Sequence, residues 1–107
     1  MAFKLKLQYV YSFYSLDELV DITPVDEEIE IERGTRFQLH LMEEGSFHVV
    51  DVSRDYKAPF VTLADPAGDN FIVRAGEVTE LSYEETYDSM GDTNHNVYEG
   101  TISLIED

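Results

Sequence analysis

The side chains in this sequence that could do chemistry are mostly carboxylates. "VDEEIEIERG", residues 25–34, sets Glu28, Glu30 and Glu32 at alternate positions, with only Ile29 and Ile31 between them. On an extended strand, alternate residues project from one face at intervals of about 6.8 Å, twice the rise per residue. A nucleic-acid strand presents one phosphate per about 3.4 Å of axis, along a helical path that makes the direct spacing longer. A row of such carboxylates can therefore imitate a phosphate backbone and engage the arginines and lysines of a nucleic-acid-binding groove. The plainer reading is that these acids lie beside Lys4 and Lys6 on a neighbouring strand, in cross-strand pairs contributing about 0.2–1 kcal/mol each. The sequence leaves both readings open.

A second acidic run, "GEVTELSYEETYDSMGD", sets Glu77, Glu80, Glu84, Glu85, Asp88 and Asp92 around Tyr83 and Tyr87 with no base nearby. Tyrosine is enriched at interfaces because it joins apolar area to a polar tip, so this run suits an arginine-rich groove. The alternative is a solvated helix face whose core stripe is Tyr83 and Tyr87 at i, i+4. Glu43 and Glu44, in the turn "MEEGS", complete a partner-binding set of Glu28, Glu30, Glu32, Glu43, Glu44, Glu77, Glu80, Tyr83, Glu84, Glu85, Tyr87, Asp88 and Asp92.

The balance of charge supports that choice. Twenty-three acids against seven Lys and Arg give −16 in 107 residues, whereas a small soluble domain typically carries a magnitude of about 2–8. The excess is local. Residues 17–51 hold eleven acids against Arg33 and Arg36, and residues 77–107 hold nine acids and no base, while residues 52–76 are neutral. Such charge opposes direct contact with nucleic acid or anionic membrane and favours a basic partner reached by electrostatic steering.

Other chemistries are weaker. His40, His48 and His95 are the only histidines, and no third ligand accompanies His40 and His48 across a shared hairpin, so no metal site is expected. "DTNHNVYEGTIS", from Asp92 to Ser103, starts like a calcium loop. It then places Val97 where a glycine is needed and Ser103 where a bidentate glutamate is needed. No nucleophile elbow, phosphate loop or dinucleotide fingerprint is present, which argues against an enzyme and against a cofactor. The chain has no cysteine and no continuous apolar run of membrane length, which fits a cytoplasmic protein.

These residues need a scaffold, and the scaffold reads as mainly β. "FKLKLQYVY" alternates over residues 3–11, with Phe3, Leu5, Leu7, Tyr9 and Tyr11 on one face. "SLDELVDITP" reads as a short helix capped by Ser15, with Glu18 closing a capping box and Pro24 ending it. Residues 35–53 form a hairpin with Phe37, Leu39 and Leu41 inward, and "FVTLA" and "NFIVR" flank "DPAGD" as a second hairpin. "LSYEETYDSM" reads as one or two helical turns capped by Ser82 or as an ordered loop, and "VYEGTISLI" as a final strand with Gly100 as a possible bulge. Residues 1–107 then make one domain: a small antiparallel barrel of five or six strands, SH3-like or OB-like, with one or two short helices. The central stretch, "GTRFQLHLMEEGSFHVVDVSRDYKAPFVTLADPAGDNFIVRAGEV", is similar to the strand–turn rhythm of small SH3-like barrels.

The function expected is an acidic interaction protein, a DNA mimic that inhibits a basic nucleic-acid-binding protein or nuclease by filling its cationic groove. In size and composition it resembles phage-encoded inhibitors of restriction or CRISPR nucleases. The alternative is a small barrel that serves as an assembly or accessory module, self-associating or docking onto a larger complex. Its acidity would then serve solubility or halophilic adaptation.

Overall fold

The structure, a computed structural model, describes residues 3–55 and 57–106. Eight strands follow in order: β1 (Phe3–Ser15), β2 (Glu18–Ile31), β3 (Arg36–Phe37), β4 (Phe47–Ser53), β5 (Phe60–Ala64), β6 (Asn70–Arg74), β7 (Val78–Ser89) and β8 (Asp92–Glu106). They form two antiparallel four-stranded sheets, ordered β2-β1-β8-β7 and β3-β4-β5-β6. The first sheet is built of strands 12 to 15 residues long and the second of strands 2 to 7 residues long. The molecule is correspondingly elongated, 50 × 23 × 17 Å.

Mainly β is the architecture, but two expectations are corrected. The sheets do not close into a barrel: β2 and β7 are free edges of the long sheet, and one parallel bridge, Ala75 to Leu104, joins β8 to the chain just after β6. Closure needs strands of matched length, and the long sheet overhangs the short one. There is also no helix among the described residues. The expected helix at residues 15–24 is a hairpin, and the expected turns at residues 82–90 are the heart of β7.

Physical reasons are visible for both. Ile22, Thr23 and Val25 are β-branched and pair with Ser12, Tyr11 and Tyr9, extending the alternation of β1 to Ser15. A bulge at Phe13/Tyr14 absorbs one residue and breaks the period at Val20, where Leu16, Leu19 and Val20 had given an apparent helical stripe. In β7, Leu81, Tyr83, Glu85 and Tyr87 alternate inward, and Tyr83 and Tyr87 at a spacing of four satisfy either period.

The core lies between the proximal half of the long sheet and the short sheet. Phe3, Leu5, Leu7, Ile102 and Leu104 face Phe47, Val49, Val61, Leu63 and Val73, all buried. Leu39 is buried as expected, but Leu41 is exposed in a left-handed conformation, because the chain leaves β3 after Phe37. The hairpin of β5 and β6 stands where the sequence placed it.

Gly100 is not a bulge. It pairs regularly with Tyr9 and Leu81, and a methyl there would meet the Gln8 carbonyl and the Tyr9 backbone. Glycine is what lets β1 and Tyr9 come that close.

Two tight turns cap the same end of the long sheet, Leu16–Asp17 and Met90–Gly91, each with both residues at positive φ. Such turns match the twist of the flanking strands but favour Asn-Gly. Leu16, at φ 52°, has no such preference. Replacing Leu16–Asp17 by Asn-Gly is therefore expected to raise unfolding stability by about 1 kcal/mol, read from urea unfolding.

Candidate functional site

Opposed residues on antiparallel strands share a face, so the register maps the solvent side of the long sheet. On edge strand β2 this face carries Ile22, Pro24, Asp26, Glu28 and Glu30; on β1 it carries Lys4, Lys6, Gln8, Val10, Ser12 and Tyr14. On β8 it carries His95, Val97, Glu99, Thr101 and Ser103, and on the other edge β7 carries Val78, Glu80, Ser82, Glu84, Thr86 and Asp88.

Two acidic rows thus border one face: Asp26, Glu28 and Glu30 on one edge, Glu80, Glu84 and Asp88 on the other. Only Asp26 and Glu80 stand level, through Gln8 and Thr101, three interstrand steps or about 14 Å apart; from there Glu28 and Glu30 run toward the proximal end and Glu84 and Asp88 toward the tip. Glu99 lies between.

The rows differ in how they are balanced. Glu30 stands directly opposite Lys4, and Glu28 opposite Lys6, so the cross-strand arrangement holds for that pair. Glu32 lies beyond β2, in the turn toward β3. Farther out, nothing balances the acids: no Lys or Arg occurs in residues 7–32 or 75–107. The one basic group on the distal outer face is His95, with Nδ1 3.4 Å from Glu84 and Nε2 3.8 Å from Asp17.

The remaining residues of the sequence set lie elsewhere. Glu77 precedes β7 and approaches Arg74 at 4.0 Å. Asp92 opens β8 at the turn. Tyr83 points inward, edge-on to Phe47 and stacked near Tyr98. Tyr87 also faces inward, opposite Asn94.

Glu85 is buried and structural. Its Oε1 accepts from the Glu43 amide at 2.7 Å and from Asn96 Nδ2 at 2.8 Å, and its Oε2 accepts from the Glu44 amide at 3.1 Å. Glu43 and Glu44 therefore sit on a loop pinned to the inner face, on the opposite side of the long sheet from the two acidic rows.

That loop, residues 38–46, is held by a chain of polar contacts. Tyr9 Oη accepts from the His40 amide at 2.8 Å, and Tyr98 Oη donates to the His40 carbonyl at 2.7 Å. Tyr11 Oη donates to Asn96 Oδ1 at 2.7 Å. Burial pushes the Tyr11 phenol up to about 12, with Tyr87, Asp21, Glu85 and Glu43 adding to the shift. Burial, then Glu85, pushes Tyr98 up strongly, and burial also raises Tyr9 despite the His40 amide.

Five acids of this end escaped the sequence set. Asp26 and Glu99 belong to the outer face, and Asp17, Glu18 and Asp21 cluster at the hairpin tip. The signal was there for two: Asp26 continues the alternation of Glu28 and Glu30, and Glu99 follows Val97 by two. Among the described residues no group of three or more His, Asp or Glu side chains is arranged to hold a metal ion, and no helix is long and apolar enough to cross a membrane.

No family model, curated protein or solved structure matches this chain. What the site can do is argued from its geometry alone. It sets exposed carboxylates on a twisted sheet face whose distal half holds no Lys or Arg.

Two outcomes follow from the inner network. Glu85→Ala removes the acceptor of two part-buried loop amides and of the buried Asn96 side chain, and is expected to lower unfolding stability by about 1–3 kcal/mol in urea unfolding. Raised phenol pKa values favour the folded state fully below the ordinary value of 10.0, and this contribution is lost as pH rises toward about 12. Stability should therefore fall across that window, with phenolate absorbance appearing together with loss of the near-ultraviolet circular dichroism of the folded state. Tyr11→Phe should make the fall shallower.

Proposed function

We propose that this chain is an acidic interaction protein that imitates a nucleic acid and occupies the cationic groove of a basic nucleic-acid-binding protein, as a DNA-mimic inhibitor. One observation carries the reading: the bases are segregated from the distal half of the long sheet. The seven Lys and Arg lie at positions 4, 6, 33, 36, 54, 57 and 74, on the short sheet, its approaches and the proximal end of the long sheet. The distal half of the long sheet, residues 8–26 and 79–101, holds ten acids and none of the bases.

The dimensions are compatible with the role. A 50 Å long axis matches about 15 base pairs of duplex at 3.4 Å each. Where the two acidic rows come level, at Asp26 and Glu80, they stand about 14 Å apart, near the spacing of phosphate rows across a major groove about 12 Å wide. The mechanism is occupancy. Carboxylates take the place of phosphates against Arg and Lys, and bidentate guanidinium contacts add direction.

The residues that support this reading are Asp26, Glu80, Glu84, Asp88 and Glu99, with Asp17 and Glu18 at the tip. Glu85 and Tyr83 serve the interior instead. The halophile alternative is disfavoured by the same segregation, because hydration in brine calls for charge spread over the whole surface.

The test is displacement. Immobilised chain is expected to retain basic nucleic-acid-binding proteins from a cell lysate at about 0.1 M salt, and duplex DNA or higher salt should release them. Charge-neutral substitution of Glu80, Glu84 and Asp88 together should weaken retention about tenfold or more. Retention of neutral partners alone, unmoved by DNA, would defeat the proposal.

A further inference from the structure

A bare polyanion mimic has no need of exposed aliphatic side chains, yet the distal outer face displays several. Val10 is 44% exposed, Leu19 49% and Ile22 55%, and Pro24 pairs with Val10 in register. Val97 continues the strip onto β8, opposite Ser12. The strip runs from the β2 edge across β1 to β8, with Asp26 on its proximal side and Glu99 and Glu84 toward β7.

Two shallow hollows mark the same face. One, of about 370 Å³, is lined by Tyr14, Asp17, Glu84, His95 and Val97. The other, of about 500 Å³, is formed around Val10, Pro24, Asp26 and Glu99. Each therefore combines aliphatic or aromatic surface with two carboxylates. An apolar centre inside a charged rim is the anatomy of a protein-binding surface.

We infer that this face docks a cationic protein segment that carries basic and aliphatic side chains in alternating pairs, so that each face of the extended segment presents both, its aliphatic residues seated on Val10, Ile22 and Val97 and its basic residues on Asp26, Glu84 and Glu99. The inference rests on the mimic reading and narrows it: the partner presents apolar side chains together with its positive charge. Charge decides between occupants. A second copy of this chain would bring its own carboxylates against Asp17, Asp26, Glu84 and Glu99, and like charges set face to face are unfavourable.

Area sets the scale. The whole outer face is on the order of 700 Å² and its distal half about 400 Å², the footprint of a short segment, below the roughly 800 Å² that each partner contributes to a stable complex. The apolar strip alone covers less than half of it, so the acidic borders must take part.

The test uses two synthetic octapeptides of equal charge, one repeating Arg-Arg-Val-Val and the other repeating Arg-Arg-Ser-Ser, titrated calorimetrically into the intact chain. The Arg–Val peptide is expected to bind about tenfold more tightly than the Arg–Ser peptide. Val10→Ser with Ile22→Ser, both at exposed positions and checked for unchanged circular dichroism, should abolish that preference and leave Arg–Ser binding as it was. Equal affinity of the two peptides for the wild-type chain, or a preference that survives the serine substitutions, would overturn the inference while leaving the mimic reading standing. Failure of both peptides to bind at low salt would instead overturn the mimic reading and this inference with it. A concentration-dependent dimer in sedimentation, abolished by the same substitutions, would show that a second copy is the occupant and overturn the inference.

Discussion

A mismatch of length governs this molecule. Strands of 12 to 15 residues make one sheet and strands of 2 to 7 residues make the other, so only part of the long sheet can be covered. Where the sheets overlap, period-two alternation works as it does in any sandwich, with apolar residues in and polar residues out. Past the overlap the inner face would meet water. Loop 38–46 folds back over it, and because a loop brings backbone amides and carbonyls, the surface beneath must answer with polar groups. Tyr9, Tyr11, Tyr98, Asn96 and Glu85 do so. The buried carboxylate of Glu85 is thus explained by the overhang, and its two backbone donors are what hold the loop in place.

The same overhang organises the surface. Every Lys and Arg lies where the two sheets meet or beside it, and the distal half of the long sheet carries acids without them, so a net charge of −16 becomes a charge gradient along a 50 Å body. Concentrating like charge on one end costs stability through repulsion. Here that cost falls on a sheet region stabilised by main-chain pairing and by the polar network beneath loop 38–46. Exposed Leu16, Leu19, Val20 and Ile22, together with a turn held in left-handed conformation at Leu16, add local cost. Features that lower stability in this way concentrate where a surface is kept for binding.

Much of the β content was legible in the sequence, and the reason is period. "FKLKLQYVY" and the β5–β6 hairpin have clean alternation and turn residues that fit, so β1, β5 and β6 could be read directly. Residues 15–24 could not, because the turn is made by Leu16 and Asp17 without glycine or asparagine, and the bulge beyond Phe13 scrambles the period. Residues 82–90 misled for a different reason: Tyr83 and Tyr87 fit both a helix stripe and a strand face, and Glu85 between them looked like a surface acid. Strand alternation turns Glu85 to the inner face, and only loop 38–46, from a distant part of the chain, buries it there. The sequence shows how many acids each stretch carries but not which of them share a face. Which acids share a face depends on the register of β2 against β1 and of β7 against β8, and Asp26 and Glu99 join the face only through that pairing.

Methyl-resolved nuclear magnetic resonance, recorded while an arginine-rich peptide is added, tests most directly whether the uncovered half of the long sheet is the docking surface. Shifts confined to Val10, Leu19, Ile22 and Val97, with Leu5, Leu63 and Val73 unmoved, are the expected result. Shifts spread evenly over the short sheet, or none at the four outer methyl-bearing residues at saturation, would contradict a docking face built on the overhang.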